Sequence, residues 1–317
     1  MPEQTPRIVY NGRPLDTSPD AFGELRGSGD VLSDADELRR RMAEDGYVYL
    51  PGLLDLELVK AVREDIFQRA ARLGALHPDR PPYEGICHPD PEKSFRPALD
   101  YRTDGTSESL HDCRPLREVL YRHHMIDFFE RFLGGPVLCF DHIWFRAKGS
   151  GVGKPTPPHL DILYMGRGTH QLYTAWVPYV DVGYDMGGLM ILENSHRCEH
   201  VRDGYGKRDI DVYCTNYDDA PLIESGKKTW QQSGAYSLDA EGTQAELGGR
   251  WLTTEFKMGD ALVFSPYTMH ASTDNQTPRM RISSDTRYQL ASEPADDRWI
   301  GPNPVGHGPA AKRGMIC

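Results

Sequence analysis

The stretch 155-PTPPHLDILY-164 places a histidine and an aspartate two positions apart, between a proline-rich segment and an apolar run. Alternate side chains of an extended backbone share a face, so His159 and Asp161 can converge on one metal ion if this stretch is a strand. The apolar residues 162–164 that follow predict such a strand. The stretch therefore predicts a metal site within a β-rich region of the fold.

The same His-x-Asp pattern occurs at two other places, His77/Asp79 and His88/Asp90. Each of these pairs encloses a proline, and both lie in the loop-like stretch GALHPDRPPYEGICHPDPEK. Proline cannot donate a hydrogen bond to a sheet ladder, so neither pair belongs in a central strand. The metal-site prediction therefore rests on the third pair alone.

The bulk composition is that of an ordinary soluble globular protein. The chain has 317 residues, with 38% hydrophobic and 26% charged residues, which suits one domain with a substantial core. Its net charge of -11 and the lack of a long basic cluster exclude nucleic acid and anionic membrane surfaces as expected partners. Nothing in the sequence sets an oligomeric state.

The cysteines are scattered and lack the Cys-x-x-Cys spacing of structural zinc sites, so we expect reduced thiols and no structural zinc. The first residues, MPEQTPRIVYNG, lack the apolar core of a signal peptide. No apolar run approaches the length of a membrane span. These features predict a cytoplasmic protein.

Helical patterns come first along the chain. Ser33 is expected to cap a helix with acidic residues in its first turn, and residues 47–50 predict a short strand. Residues 55–73 and 115–133 predict two further helices, the second ending at Gly134. His123 and His124, on the last of these helices, are expected to be surface or packing residues.

Beyond Pro136 the pattern changes to short β-like runs separated by turns. These runs are VLCFDHIWFRA, LDILYM, QLYTAWVPYVDV, GGLMILENSH, WLTTEFKMGDALVFS and RMRISSDTRYQL. Helices followed by many strands predict a mainly β fold, an antiparallel barrel or double-sheet jelly roll with helices packed outside.

A third metal ligand is expected from a distant strand, and the stretch GDALVFSPYTMHASTDNQTPRMRIS offers His270. Two histidines and one carboxylate form the facial triad of non-haem Fe(II) oxygenases, which leaves three coordination positions open. Ser272 lies two residues further on, and Arg281 lies in the next predicted strand, where a guanidinium could hold a carboxylate such as that of 2-oxoglutarate. Arg279 competes for this role, although it follows Pro278 directly.

Residues from about 40 to 290 resemble the phytanoyl-CoA dioxygenase family of Fe(II)/2-oxoglutarate-dependent oxygenases. The stretches that carry the resemblance are GYVYLPGLLD, TPPHLD, TAWVPYVDV, GGLMILENSHR, GDALVFSPYTMHAS and RISSDTRYQ. The resemblance implies a double-stranded β-helix of the jelly-roll, cupin-like type, with Fe(II), 2-oxoglutarate as co-substrate, and O2. It implies His159, Asp161 and His270 as iron ligands, Arg281 and Ser272 on the distal carboxylate of 2-oxoglutarate, and Trp176 in the cofactor pocket.

One position departs from the family pattern. The family often has glutamine directly after the first ligand, whereas this chain has Leu160. A polar contact to the co-substrate is then either absent or supplied elsewhere, by His142 or Arg146.

The resemblance implies oxidation of a C–H bond in a small molecule, by hydroxylation or alternatively by desaturation, epimerisation or oxidative dealkylation. Aromatic and polar residues expected near the cavity favour a polar metabolite or natural-product intermediate: Trp144, Tyr164, Trp176, His142, Arg146 and Arg287. The alternative substrate is an acyl thioester of coenzyme A or a carrier protein. The alternative of another class is a non-catalytic jelly-roll binding protein, which would not need an intact triad.

We expect an N-terminal arm over residues 1–30, one oxygenase domain over 31–295 and a C-terminal tail over 296–317. Within the domain, residues 198–250 are too long for a plain strand connection. This segment carries more aromatic residues than a disordered linker needs: Tyr205, Tyr213, Tyr217, Trp230 and Tyr236. We therefore expect a mobile cover over the substrate, with plain disorder as the alternative.

Overall fold

Among the described residues, most of the longer helices lie before residue 136 and most strands of three or more residues lie after it, as predicted. The computed structural model describes residues 7–94, 97, 99–100, 108–151, 155–211, 225, 227 and 234–307. The α-helices are α1 (Ala35–Asp45), α2 (Leu56–Arg72), α3 (Pro91–Ser94), α4 (Arg114–Tyr121), α5 (His123–Leu133), α6 (Ile162–Met165), α7 (Glu199–Asp203) and α8 (Ala240–Leu247). Short 3₁₀ helices cover Gly29–Val31, Pro82–Glu84, Ser195–Arg197, Tyr205–Lys207 and Asp297–Trp299.

The strands are short except for the last, which supplies several residues of the functional site. They are β1 (Val9–Tyr10), β2 (Arg13–Pro14), β3 (Phe22–Glu24), β4 (Tyr47–Leu50), β5 (Leu99–Asp100), β6 (Glu108–Ser109), β7 (Val137–Cys139), β8 (Trp144–Lys148), β9 (Tyr173–Pro178), β10 (Leu189–Leu192), β11 (Trp251–Thr253), β12 (Ala261–Phe264), β13 (His270–Ser272) and β14 (Arg281–Leu290).

Local capping explains where the first helices begin. The carboxylate of Asp34 accepts a hydrogen bond from the N–H of Glu37 at the start of α1, so the prediction that Ser33 is the cap was wrong. Asp55 caps α2 in the same way, by accepting from the N–H groups of Glu57 and Leu58. The predicted strand at residues 47–50 and the predicted second helix are confirmed.

The single helix predicted over residues 115–133 is two helices, α4 and α5. The chain leaves helical geometry at Arg122 (φ -145°, ψ 176°) and at His123, whose φ is 52°. The break lets α4 pack on α2 while α5 packs on α1 and β14. Because apolar residues keep helical spacing on both sides of the break, the sequence pattern does not reveal it.

Two sheets form the core of the domain. The larger has the strand order β4-β12-β9-β14-β7, with β8 also paired to β14, and the smaller has the order β13-β10-β11-β3. All of these pairings are antiparallel except that of β11 with β3.

Alternation along β12 shows how the layers are arranged. Leu262 and Phe264 pack with Leu189 and Ile191 of the smaller sheet, so the two sheets lie face to face. The alternate positions of β12, residues 261 and 263, pack with the helices on the opposite face. The result is the predicted jelly roll with helices outside, and the functional site lies between the sheets.

Parts of both chain ends pack against the rest of the domain. Residues 8–10 are buried and β3 is a strand of the smaller sheet, so this part of the predicted N-terminal arm does not stand apart. Trp299, in the predicted C-terminal tail, is buried against Phe140, Met165 and Leu172. Across the described ranges, no helix is both long and apolar enough to cross a membrane.

Candidate metal centre

His159 and His270 face each other across an antiparallel backbone pair. The N–H of His159 donates to the carbonyl of His270 over 3.1 Å, and the N–H of His270 donates back over 3.2 Å. Directly opposed residues of such a pair project to the same side, and the two imidazole centres are 4.1 Å apart. Strand pairing thus joins two histidines that are far apart in sequence.

Asp161 reaches the same point through a turn, and the predicted strand over residues 162–164 was wrong. Asp161 has helical backbone angles (φ -68°, ψ -27°) and precedes the single turn of α6. The N–H of Ile162 donates to the carbonyl of Pro266, which directs the chain away from the sheet after His159. The buried side chains of Ile162 and Leu163 then pack in a separate apolar cluster, with Leu160.

The three side chains converge closely enough to hold one ion. Asp161 Oδ1 lies 3.8 Å from His159 Nε2 and 3.7 Å from His270 Nε2. Imidazole and carboxylate ligands lie about 2.0–2.2 Å from a zinc-sized ion, so two ligands of one ion are at most about 4.4 Å apart. No other group of three potential ligands occurs among the described residues.

Both imidazoles are oriented to present Nε2 to the centre. His159 Nδ1 donates to the carbonyl of Pro157 over 2.8 Å, and His270 Nδ1 donates to the carbonyl of Thr268 over 3.0 Å. Such contacts fix the tautomer and ring angle of metal-binding histidines. Burial and the neighbouring His270 lower the pKa of His159 to about 3, and burial lowers the pKa of His270 as well. Both rings are therefore neutral, the form that binds metal.

The other two His-x-Asp pairs have a different role. His77 Nδ1 accepts from the N–H of Asp79 over 3.2 Å, and His88 Nδ1 accepts from the N–H of Asp90 over 2.9 Å. In each case the imidazole closes its own turn, and the carboxylate points elsewhere. The pattern recurs in the sequence because it also suits turns.

The second oxygen of Asp161 is fully engaged by the protein. Thr174 Oγ1 donates to Oδ2 over 2.5 Å, and Arg287 Nη2 donates to it over 2.8 Å. Burial alone would raise the pKa of Asp161, but the adjacent Arg287 guanidinium holds it below its usual value. Arg287 also donates to Asp285 Oδ2 over 2.6 Å and lies over the ring of Trp144 at 4.0 Å.

Arg281 is the candidate anchor for a ligand carboxylate. It is 3% exposed, its Nη1 donates to Ser283 Oγ over 2.6 Å, and its Nε has no hydrogen-bond partner. Asp285 attracts it from the same cavity, but no described carboxylate forms an ion pair with it, and burial together with the neighbouring Arg146 lowers its pKa to about 10. A buried cation without an anion is costly, so this environment suits an incoming carboxylate.

Ser272 lines the same cavity and is prepared to donate a hydrogen bond. Its Oγ accepts from the N–H of Thr156 over 2.9 Å and from Lys148 Nζ over 3.1 Å. With both acceptor positions used, the remaining hydroxyl proton can only be donated. A carboxylate next to Arg281 would take it, so the donor set fits the far end of 2-oxoglutarate.

Some of the other site residues predicted from the sequence line the cavity, and others lie outside its wall. Trp176 and Arg146 line the cavity with the three ligands and Arg281. His142 is absent from that wall and packs against the rings of Trp144 and Trp299, so of the two proposed substitutes for glutamine the structure places only Arg146 at the cavity. Arg279 is exposed and outside the wall.

Both described ends of the segment 198–250 contact the ligand-bearing loop. The N–H of Tyr236 donates to the carbonyl of Pro158 over 2.8 Å, and the N–H of Ile210 donates to the carbonyl of Leu163 over 3.1 Å. The aromatic rings of Tyr205 and Tyr236 pack together. Tyr213, Tyr217 and Trp230, which also led to the prediction of a cover, lie outside the described residues.

Sequence reasoning missed the contacts of Arg287 and Thr174 with the metal-binding carboxylate. Arg287 had been considered only as evidence of a polar substrate. The signal was the alternation in RISSDTR, which places Arg281, Asp285 and Arg287 on one face of β14. The register that brings Thr174 opposite Arg287 is visible only in the folded sheet.

Two curated proteins are similar to this chain in sequence over most of its length. 1-Deoxypentalenic acid 11-beta-hydroxylase of Streptomyces exfoliatus is 26% identical over 274 residues, covering 83% of this chain and 83% of that enzyme. The enzyme of the same description from Streptomyces arenae is 26% identical over 289 residues, covering 86% and 87%.

Two solved structures show the same fold at low sequence identity. EctD from S. alaskensis in its apoform superposes with a TM-score of 0.54 at 16% identity, covering 91% of each chain. The non-heme alpha ketoglutarate dependent epimerase SnoN from nogalamycin biosynthesis superposes with a TM-score of 0.52 at 18% identity, covering 87% of this chain and 94% of that one. The family profile described as phytanoyl-CoA dioxygenase (PhyH) matches residues 42–283. The match spans most of the chain and all three candidate ligands, and the chain belongs to the phytanoyl-CoA dioxygenase family.

Proposed function

We propose that His159, Asp161 and His270 bind Fe(II) in this dioxygenase, that Arg281 and Ser272 bind the co-substrate 2-oxoglutarate, and that the enzyme hydroxylates a small polar natural-product intermediate. The observation that carries the proposal is the convergence of the three ligand atoms beside a buried arginine without an acidic partner in the described part of the chain. A non-catalytic binding protein, the alternative of another class, would gain nothing from maintaining so costly an arrangement.

Each part of the site has a separate task. The facial triad leaves three positions on the metal open, as a co-substrate chelate and O2 require. Bound Fe(II), with 2-oxoglutarate and O2, supplies the oxidant that breaks a substrate C–H bond as CO2 and succinate form. Arg281 and Ser272 fix the far carboxylate of the co-substrate, and the walls that include Trp176 hold the substrate in register and exclude water.

The charges of the cavity favour a substrate with an anionic group. Three guanidinium groups and two carboxylates line it: Arg146, Arg281, Arg287, Asp161 and Asp285. The histidines are neutral, and the charges of Fe(II) and of the 2-oxoglutarate dianion cancel, so the loaded site keeps an excess positive charge. Arg146 lines the cavity and is exposed to solvent, and no acidic residue of the described ranges forms an ion pair with it. We therefore assign Arg146 the role of binding the substrate's anionic group. The alternative is that Arg146 binds the inner carboxylate of 2-oxoglutarate.

The hydroxylases that match most of the chain are named for a carboxylic acid, 1-deoxypentalenic acid. That name supports an acidic natural-product intermediate over an acyl thioester of coenzyme A. Hydroxylation is likewise the outcome that their names support, over desaturation or dealkylation.

The segment 198–250 is assigned the role of a cover over the substrate, within an oxygenase domain over residues 31–295. Its described ends support this role because they bond to Pro158 and Leu163, on either side of the ligand pair. Arg298 of the C-terminal segment also bonds to Asp211 over 2.5 Å, which joins the first part of the proposed cover to that segment. The cytoplasmic location remains a prediction, which cell fractionation would test.

Succinate release tests the proposed function. The purified protein, supplied with Fe(II), 2-oxoglutarate and O2, is screened against a panel of carboxylic-acid natural products, neutral analogues and acyl-CoA thioesters. We expect at least one free acid to stimulate succinate release and to gain one oxygen atom by mass spectrometry. Stimulation by thioesters alone would contradict the substrate class, and the absence of any 2-oxoglutarate turnover would contradict the proposed assignment of the iron and co-substrate residues.

A further inference from the structure

We propose that Arg287 and Thr174 are positioning residues that restrict Asp161 to binding iron through a single oxygen. This inference rests on the proposed function, because it concerns how the proposed iron ligand is held. Arg287 and Thr174 bind the other oxygen of Asp161. As a result, the three coordination positions of the iron that the triad leaves open all stay available.

The two oxygens of Asp161 have separate surroundings. Oδ1 is the atom nearest to both histidine Nε2 atoms, at 3.8 and 3.7 Å. Oδ2 accepts from Thr174 Oγ1 over 2.5 Å and from Arg287 Nη2 over 2.8 Å. A rotation of the carboxylate that brought Oδ2 to the metal would break both hydrogen bonds, one of them charge-assisted.

The sheet itself sets up this pair of donors. Thr174 on β9 and Arg287 on β14 are direct partners in the antiparallel register, so their side chains emerge side by side toward Asp161. Both residues are buried, and the Arg287 guanidinium is held from two further directions, by Asp285 and by the ring of Trp144. The donors are therefore fixed before any metal binds.

The number of open positions gives this restraint a function. A carboxylate can bind a metal through one or both oxygens. Two-oxygen binding by Asp161 would occupy one of the three positions that the triad leaves open. A co-substrate that chelates through two atoms would then fill the rest, and no position would remain for a small third ligand.

The competing explanation is that the ion pair of Arg287 with Asp161 only stabilises the fold, and this explanation predicts different experimental results. Breaking a structural pair lowers thermal stability and lowers metal affinity only indirectly. Loss of a positioning contact changes what binds to the metal at full occupancy. The decisive readout is therefore binding of a third ligand to protein saturated with Fe(II) and 2-oxoglutarate.

The variants are Arg287→Met, which removes the donors but keeps an unbranched chain, and Thr174→Val, which removes only the hydroxyl. Thr174→Ser keeps a hydroxyl and is the matched control. Arg41→Met is the stability control, because Arg41 is a buried, ion-paired arginine on α1, outside the cavity wall. Fe(II) affinity is measured without oxygen, and the melting temperature is followed for every variant.

Nitric oxide serves as the third ligand, since it binds a vacant position on Fe(II) and gives an electron paramagnetic resonance signal. We expect Arg287→Met to weaken Fe(II) binding about 10- to 100-fold, the usual effect of losing a residue that orients a metal ligand. At saturating Fe(II) and 2-oxoglutarate, the nitric oxide signal should fall at least about 2-fold in Arg287→Met and Thr174→Val. It should be retained in Thr174→Ser and Arg41→Met.

The inference would be overturned if Arg287→Met and Thr174→Val both gave nitric oxide signals as strong as that of the wild-type protein, at full iron and co-substrate occupancy. That result would leave the proposed function intact. If Arg287→Met does not fold, the pair Thr174→Val and Thr174→Ser decides alone. Failure of the wild-type protein to bind Fe(II) would instead contradict the proposed function, and this inference with it.

Discussion

Arg281 donates to the hydroxyl of Ser283 over 2.6 Å, and no carboxylate within the described residues accompanies this contact. A neutral hydroxyl does not compensate a buried guanidinium, which makes the position receptive to an anion. The neighbouring Ser272 hydroxyl, with both acceptor positions used, adds a second donor at the same wall. These two donors support the proposal that a ligand carboxylate binds at this wall.

Replacing Arg281 by leucine should raise the KM for 2-oxoglutarate on the order of 30-fold or more, since truncating one partner of a buried charged pair costs about 2–5 kcal/mol. The measurement is 2-oxoglutarate turnover, followed by succinate release. Arg279→Leu is the matched control, because that arginine is exposed and outside the cavity. A raised KM in Arg279→Leu, with a normal value in Arg281→Leu, would show that the wrong arginine has been assigned.

Replacing Arg146 by glutamine should raise the KM for an acidic substrate about 10- to 100-fold, because hydrogen bonds to charged groups contribute about 1.5–3 kcal/mol. The KM for 2-oxoglutarate should change less. Arg146→Lys, which keeps the charge, should recover part of the loss. The reverse result, a larger effect on 2-oxoglutarate, would assign Arg146 to the co-substrate, the role that the sequence suggested in place of Leu160.

The enzyme should not halogenate. Chloride could bind the iron in place of the carboxylate only if position 161 were a small residue such as glycine or alanine, whereas Asp161 is present and held by Arg287 and Thr174. Reactions in high chloride, analysed by mass spectrometry, should therefore yield no chlorinated product. Detection of one would overturn the assignment of Asp161 as a ligand.

The cover proposed for residues 198–250 should respond to substrate. In the anaerobic Fe(II)/2-oxoglutarate complex, limited proteolysis between Arg202 and Lys228 is expected to slow when substrate is added, because a closed cover exposes fewer cleavable bonds. Mass spectrometry of the fragments gives the rate at each site. Equal rates with and without substrate would show that the segment does not respond to substrate.

The layered fold was predictable because it depends on local patterns. A strand whose two faces differ leaves a period of two in the sequence, as in β14, whose odd-numbered positions are all charged or polar. β12 is instead a continuous apolar run, the pattern of a strand that is buried on both faces. Asp55 before an apolar helical pattern likewise marked the start of α2. The break at Arg122 was not predictable, because apolar residues keep helical spacing on both sides of it. The turn at α6 was not predictable either, because its short apolar run also suits a strand and tertiary packing decides the geometry.

The candidate site was predictable for its main residues but not for their supports. His159, Asp161 and His270 were identified from residue type, and from a resemblance that the family match confirms. Thr174 and Arg287 could not be assigned, since their roles depend on strand register between β9 and β14. A contact of His142 with the co-substrate stays a prediction; its packing against Trp144 and Trp299 could not be predicted, because such ring contacts appear only in the folded chain.

The visible absorption of the Fe(II)/2-oxoglutarate chelate, recorded without oxygen, tests the central assignment most directly. Wild-type protein should develop a charge-transfer band with one iron per chain, and so should His77→Ala and His88→Ala, whose imidazoles only close turns. His159→Ala and His270→Ala should lose both the band and turnover, because two protein ligands hold the metal poorly. A full band with stoichiometric iron in either of these two variants would contradict the account.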